Sequence, residues 1–333
     1  MVAARKKTSV GIIGLGIIGS RVAAVLRRAG YPVTVWSRSP RPEPNFLPSA
    51  REVAESADIL QLFVRDGEAL LEVIRAILPV LGDTHIVINH STVGPAETLE
   101  ASRLVSEKGA SFLDAPFTGS RDAAAEGELV YYIGGEDAVI ERVRSVLDVS
   151  SKAILPMGPV GAATYVKLAA NMITAAEIEV LAEALALLDR GGVPLIRLEE
   201  ALAHNLANSG TISLKLPLML AGEFSARFSV KNMLKDLQIA LRSVEGKGIE
   251  LPATSATAGA LMGAVQAGWG EDDFASLARH YSYPGSLKDY PGTSTESLEE
   301  DHDSSKTSLA SQKSEPVKKG LFGFLGRSGR ADS

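Results

Sequence analysis

The sequence predicts an α/β domain of the doubly wound, parallel-sheet type, then an all-helical domain, then a tail that does not fold. Three observations carry this. Short apolar runs alternate with helical patterns up to about residue 160, as crossover-connected parallel strands require. Residues 161–281 show helical patterns alone, and from Ser282 the chain turns rich in Ser, Pro, Gly and charge. A length of 333 residues is too long for one small core and fits two domains, 1–160 and 161–281, with 282–333 as an appendage.

Taken in order, "SVGIIGLG" over 9–16 reads as a buried strand ending in glycines, and 17–30 as a helix stopped by Gly30. "YPVTVWSR" is a second strand. "DILQLFV", "HIVINHST", "ASFLDAPF", "LVYYIGG" and "KAILPMG" are further strand candidates, with helices over 67–81 and 95–108 between them. From Val160 to Arg190 one long helix is predicted, ended by Gly191 and Gly192; further helices follow near 197–206, 211–220, 229–248, 253–268 and 272–281. The stretch "YPGTSTESLEEDHDSSKTSLASQKSEPVKKG" cannot bury enough apolar surface to offset its ordering entropy and is expected to be disordered.

Composition excludes several classes of function. A net charge of −6 argues against nucleic acid as the main partner, since phosphate binding favours basic surfaces. The absence of cysteine removes disulfides, thiolate metal sites and cysteine nucleophiles, and no metal site is expected. No apolar signal-peptide core follows "MVAARKK", and no segment approaches the roughly 20 apolar residues of a membrane span. The expectation is a soluble cytoplasmic protein.

Gly14, Gly16 and Gly19 form G-x-G-x-x-G, with Leu15, Ile17 and Ile18 between them, where a strand gives way to a helix. The first glycine permits a tight turn, the second a close approach of backbone to a pyrophosphate, the third close packing of helix on strand. The helix N-terminus then turns free N–H groups to the phosphates. A glycine-rich packing turn is the competing explanation; the strand–turn–helix context favours a dinucleotide. An NAD site places Asp or Glu at the end of the second strand for the ribose 2′-hydroxyl. Here Ser37, Arg38 and Ser39 stand there, with Arg41 close by. A hydroxyl and a guanidinium suit a 2′-phosphate, so NADP(H) is expected over NAD(H).

"GPVGAATYVKLAANM" is almost wholly small and apolar, yet carries Lys167. A buried lysine is costly unless a partner or a cleft meets it; a side chain snorkelling at the helix edge is the alternative. Asn171 and Thr174 follow at i+4 and i+7, so all three line one face. Such a stripe suits the wall of a cleft, where a lysine could donate a proton to a developing alkoxide. Spacing alone leaves both readings open.

Together these segments resemble the β-hydroxyacid dehydrogenase family. "VGIIGLGIIGSRVAAVLRRAGYPVTVWSRSP" is similar to its cofactor fingerprint, with Trp36-Ser37-Arg38-Ser39 as its W-N-R-[ST] ending. "HSTVGP", "DAPFTGSRDAAAEGELVYYIGG", "GPVGAATYVKLAANM" and "FSVKNMLKDLQIA" resemble its nicotinamide, substrate, catalytic and K-D-L segments, in the family's order over 9–281. The resemblance implies a Rossmann-type first domain, a helical second one, and a homodimer or homotetramer built through the helical domains. It implies Lys167 as catalytic lysine and Asn171 as its substrate-binding companion. Thr118, with the backbone of Gly119 and Ser120, would hold the substrate carboxylate. Thr92 would face the nicotinamide, Lys235 contact the cofactor, Asp236 and Phe228 close the site, and Phe63 and Val64 flank the cofactor ribose.

"TGSR" followed by "FSVKNMLKDL" is most similar to the glyoxylate/succinic semialdehyde reductase branch, which uses NADPH. The function expected is therefore NADPH-dependent reduction of a small aldehyde acid. An NAD-dependent 3-hydroxyisobutyrate dehydrogenase, an imine reductase and a non-catalytic NADP-binding scaffold are the alternatives. Departures from the family pattern bear on substrate more than on chemistry. Four prolines in "SPRPEPNFLPSA" make the usual next helix unexpected and the sheet edge trimmed. Ala170 replaces the first Asn of the catalytic motif, and Asn89-His90 precede Ser91 where an acidic residue is common; His90 could touch the cofactor, with a structural role the stronger expectation.

Overall fold

A computed structural model describes residues 8–281, all within one compact unit. The chain opens with β1 (Val10–Ile13), α1 (Ile17–Arg28), β2 (Val33–Trp36), α2 (Ala50–Ser56), β3 (Ile59–Leu62), α3 (Gly67–Ile77), β4 (Ile86–Asn89), α4 (Pro95–Ser106) and β5 (Ser111–Asp114). These strands lie in the order β2-β1-β3-β4-β5, and every neighbouring pair is parallel. Strands β1, β3 and β4 are buried at every residue, which explains their unbroken apolar runs: helices cover both faces of the sheet. The strand order reverses between β1 and β3. Such a switch point opens a crevice at the carboxyl ends of the strands, where Gly14, Phe63 and Thr92 follow β1, β3 and β4.

The sheet is not wholly parallel, against the sequence expectation. After β6 (Phe117–Thr118) and α5 (Arg121–Glu126), β7 (Leu129–Gly134) runs antiparallel to both β5 and β6. Asp114 faces Gly134 and Phe117 faces Tyr131 in one continuing register. "ASFLDAPF" is thus two strands around a bend at Pro116, whose carbonyl still accepts from Tyr132 N (2.9 Å). Helix α6 (Asp137–Leu147) leads to β8 (Ser151–Gly158), parallel to β7.

The proline-rich segment also departs from expectation. A helix does follow: α2 begins directly after Pro48, capped by the Ser49 hydroxyl, which accepts from Glu52 N. The prolines occupy the approach to the cap and leave the helix itself free. Nor is the sheet edge bare. Val35 N donates to Asn45 O (3.1 Å) and Leu47 N to Val35 O (2.9 Å), laying the segment along β2. Arg27 of α1 holds it from the side, through Pro44 O (2.7 Å) and Glu43 (3.0 Å). Proline suits such an edge because it offers no N–H to a further strand.

The helical part comprises α7 (Ala162–Arg190), α8 (Ile196–Ala203), α9 (Gly210–Ala221), α10 (Val230–Ser243) and α11 (Pro252–Gln266). The last predicted helix, 272–281, forms instead as a 3-10 helix over Phe274–Tyr281. Its core gathers Ile178, Leu181, Leu185, Leu216, Met219, Leu237, Leu261 and Phe274. Helix α7 has 29 residues and is about 44 Å long. It packs on α9, α10 and α11 and also on α4, β7 and β8, so it is the spine joining the two parts. The tail, 282–333, lies outside the described residues.

Candidate active site

The glycine turn has the shape a pyrophosphate needs. Gly14 has φ +107°, and a Cβ there would come 2.1 Å from Phe63 O. A Cβ on Gly19 would come 2.0 Å from Gly14 O, which is why α1 can start so close to β1. Gly16, by contrast, faces open space, with nothing within 4 Å of its Cβ position. No side chain among the described residues caps α1, so its first-turn N–H groups are available to an anion. Leu15 is buried in the core, while Ile17 is 60% exposed and Ile18 half-buried. Gly14 N donates to Trp36 O (2.8 Å), which ties the end of β2 to the turn. Ser37, Arg38 and Ser39 follow directly, Arg38 and Ser39 exposed, with Ser37 Oγ donating to Ser39 O (2.6 Å). These residues fit a dinucleotide.

The crevice wall is built from the ends of β3 and β4. Phe63 N donates to Ile13 O (2.8 Å) and Val64 N to Ser91 Oγ (2.8 Å). The Phe63 ring stacks on His90 at 4.6 Å, with 14° between planes. His90 is buried, and burial pushes its pKa down to about 4 against the pull of its bond to Ala115 O, so the ring is neutral. A neutral ring has one N–H. Nδ1 donates to Ala115 O (2.8 Å), so Nε2 must accept; Gln61 Oε1 lies 3.0 Å from it and Gln61 Nε2 has no hydrogen-bond partner among the described residues, and turning that amide over satisfies both. His90 is thus a packed support behind Phe63, in keeping with the structural role expected of it.

Helices α7 and α10 bring four of the predicted residues together. Asn171 Nδ2 donates to Asp236 Oδ2 at 2.6 Å. Lys235 Nζ donates to Thr92 O (2.7 Å) and Arg65 O (3.4 Å), bridging the helical part to the ends of β3 and β4. Its ammonium also lies 3.0 Å from Asp236 Oδ1. That contact lacks hydrogen-bond geometry, and Oδ1 is buried without a hydrogen-bond partner among the described residues. Lys167 stands in the same field. Burial lowers its pKa, Asp236 raises it, and the Lys235 charge lowers it again. The Asn171 amide, the Asp236 carboxylate and the Lys235 ammonium therefore meet beside the nucleotide crevice, within electrostatic reach of Lys167. Thr174 is half-buried, further along α7.

Thr118, Gly119 and Ser120 come from another quarter, the exposed turn between β6 and α5. Thr118 pairs with Val130, and Ser120 Oγ accepts from Ala123 N (3.1 Å) as the cap of α5. Phe228 lies half-buried just before α10, its ring edge-on to Phe274 at 6.2 Å. Two features escaped the sequence reading. Asp273 fastens the Phe228 segment, accepting from Arg227 N (3.0 Å), Phe228 N (3.1 Å), Ala275 N (3.0 Å) and the buried Lys215 ammonium (2.6 Å). Asp114, at the end of β5, accepts three bonds from the start of α7. A lone carboxylate inside the apolar run "SFLDAPF" was the available signal for Asp114; Lys215 and Asp273 lie 58 residues apart and carried none.

A Rossmann-like nucleotide-binding domain joined to a helical domain bearing a half-buried lysine defines a dinucleotide-linked oxidoreductase. Residues 9–158 match the family model for the NAD binding domain of 6-phosphogluconate dehydrogenase. Residues 161–281 match the model for NAD-binding of NADP-dependent 3-hydroxyisobutyrate dehydrogenase. The chain is 32% identical over 259 residues to 2-hydroxy-3-oxopropionate reductase of Escherichia coli (strain K12), covering 74% of this chain and 87% of that one. It is 29% identical to glyoxylate/succinic semialdehyde reductase 2, chloroplastic, of Arabidopsis thaliana, over 81% of this chain and 78% of the relative. The solved 3-hydroxyisobutyrate dehydrogenase of Mycobacterium tuberculosis with L-serine superposes with a TM-score of 0.76 at 25% identity, covering 82% of this chain and 98% of that one. The chain belongs to the β-hydroxyacid dehydrogenase family. No helix among the described residues is long and apolar enough to cross a membrane.

Proposed function

We propose that the protein is an NADPH-dependent reductase of small aldehyde acids, of the glyoxylate/succinic semialdehyde type. The observation that carries this is the buried corner in which Lys167 shares its field with Asp236 and Lys235, Asp236 being bonded to Asn171. Bound in the crevice, the nicotinamide supplies the hydride. Lys167 holds a proton at Nζ and passes it to the carbonyl oxygen as charge develops there. Asn171 and the Thr118–Ser120 turn orient the substrate through its carboxylate. Lys235 would hold the cofactor, Phe228 and Asp236 would close the site, Phe63 and Val64 would flank the ribose, and Thr92 would face the nicotinamide. Lys167 then regains its proton from solvent. Oxidation of a β-hydroxy acid is the same path reversed.

The preference for NADPH rests on Ser37 and Arg38 at the end of β2, joined by the exposed Arg41; the one acid close by in sequence, Glu43, is engaged by Arg27. A guanidinium favours a 2′-phosphate and a carboxylate would repel it. Residues 1–160 are assigned to the nucleotide and 161–281 to substrate and self-association. Lys167 counts against an imine reductase, a class that usually lacks such a lysine. The purified protein should oxidise NADPH on at least one of glyoxylate, succinic semialdehyde, tartronate semialdehyde or methylmalonate semialdehyde, faster than NADH, with Lys167→Ala losing about 10²–10⁴ in kcat. Equal turnover by Lys167→Ala, or a clear preference for NADH, would sink the reading.

A further inference from the structure

We infer that Asp114 is a positioning residue for Lys167: its carboxylate fixes the start of α7 against the strand that leads into the Thr118–Ser120 turn. The inference rests on the reading of Lys167 as proton donor.

Asp114 is fully buried and is the last residue of β5. Its Oδ1 accepts from Gly161 N (3.0 Å), and its Oδ2 from Thr164 N (2.9 Å) and Thr164 Oγ1 (3.1 Å). Helix α7 has no cap of its own: its N-cap is Gly161, in a left-handed conformation at φ 96°, without a side chain to offer. The cap is supplied instead from the sheet. A negative charge at this end of a long helix also complements its dipole. On one side β7 closes against the carboxylate: a Cβ on Gly134 would lie 2.2 Å from Asp114 Oδ1. Thr164 Oγ1 also lies 3.2 Å from Thr98 Oγ1, so α4 is tied into the same knot.

What this knot locates is the candidate chemistry. Lys167 follows Thr164 by three residues, one turn along the same side of α7. Thr118 follows Asp114 by four residues, along strands that share one register on β7. Asp114 thus stands where the proton donor's helix and the substrate's turn diverge. With both leads held in regular structure, the carboxylate sets where Nζ stands relative to a substrate held at Thr118–Ser120. An isosteric amide would keep one acceptor oxygen and turn an NH₂ on a donor, unpinning the first turn of α7.

The test compares Asp114→Asn, Thr164→Val and Thr164→Ser with the parent chain. Three quantities are read: NADPH affinity, kcat with its pH profile on glyoxylate, and the titration of Lys167 after reductive ¹³C-methylation, assigned with Lys167→Arg. Asp114→Asn and Thr164→Val should lower kcat about tenfold or more, leave NADPH affinity within about twofold, and move the Lys167 titration up towards an ordinary lysine as its burial loosens. Thr164→Ser, which keeps the hydroxyl, should behave like the parent. If the Lys167 titration stays put in Asp114→Asn, or if Thr164→Ser falls as far as Thr164→Val, the inference is overturned and Asp114 is a cap that supports the fold alone. A moved titration together with full turnover by Lys167→Met would leave the anchor standing and remove the proton-donor reading instead.

Discussion

Lys167 meets two opposed influences, and their balance makes its role measurable. Burial and the Lys235 charge push its pKa below the ordinary 10.5, while Asp236 pulls it up. On the proposed mechanism reduction needs the ammonium form, because the proton must be on Nζ when the carbonyl oxygen gains charge. The rate of reduction should therefore fall on the alkaline side, with a midpoint below 10.5, and the reverse oxidation should instead rise with pH. Asp236→Asn keeps the size and the contact to Asn171 but removes the charge that holds the proton. Its alkaline limb should move to lower pH, whereas Lys167→Met should have no such limb. The measurement is kcat against pH in both directions. A limb that stays in place in Asp236→Asn would show that another group titrates. Asn171 reaches Asp236 from one turn beyond Lys167, a contact that does not call on Ala170.

At the scale of elements, the start of α10 is set by a buried ion pair. Lys215 and Asp273 have side chains 5% and 2% exposed, 2.6 Å apart, and Lys215 also lies 4.6 Å over the Phe274 ring. The two partners are not equivalent. Without Lys215, Asp273 still accepts three backbone N–H groups; without Asp273, those donors and a buried ammonium are all orphaned. Lys215→Met should thus cost less stability in urea than Asp273→Ala, whose loss should approach about 3–5 kcal/mol. Asp273→Ala should also raise KM for the aldehyde acid more than it lowers kcat, since the Phe228 segment loses its anchor. Equal losses would contradict this asymmetry. Legibility in the sequence followed the range of the forces. The glycine turn, the buried strands and α7 are written in local periodicity and were read directly; Lys167 stood out as a charge where burial is costly. The antiparallel β7 was missed because an apolar run carries no direction. The helix α2 was missed because four prolines outweighed Ser49, the one residue that caps it. Asp114–Thr164 and Lys215–Asp273 join residues 50 and 58 positions apart, and nothing local marks such partners.

At the scale of the whole molecule, α7 has one face left over among the described residues. It packs inwards through Ala175, Ile178, Ala182 and Leu185, yet Val166, Ile173, Val180 and Leu187 are 38%, 63%, 61% and 74% exposed. These four recur every seven residues, so they form a stripe of about 30 Å along the helix. Leu214 on α9, at 54% exposed, adds to the apolar surface. Single exposed apolar residues need no explanation, but a continuous stripe on a helix this long is costly in water. A second copy would cover it with like against like, since a two-fold interface presents the same patch from both sides. This supports the homodimer or homotetramer expected through the helical part. The parent chain should run in light scattering at two or four times its monomer mass at micromolar concentration. Ile173→Glu with Val180→Glu places two carboxylates on each copy's stripe, opposite their like, and should leave a folded monomer with native helicity. Both positions lie on the outer face of α7, away from Lys167 and Asn171, so NADPH should still bind the monomer. A parent chain that is already monomeric, or a doubly charged variant that keeps its assembly, would move self-association to another surface and leave the stripe without an occupant.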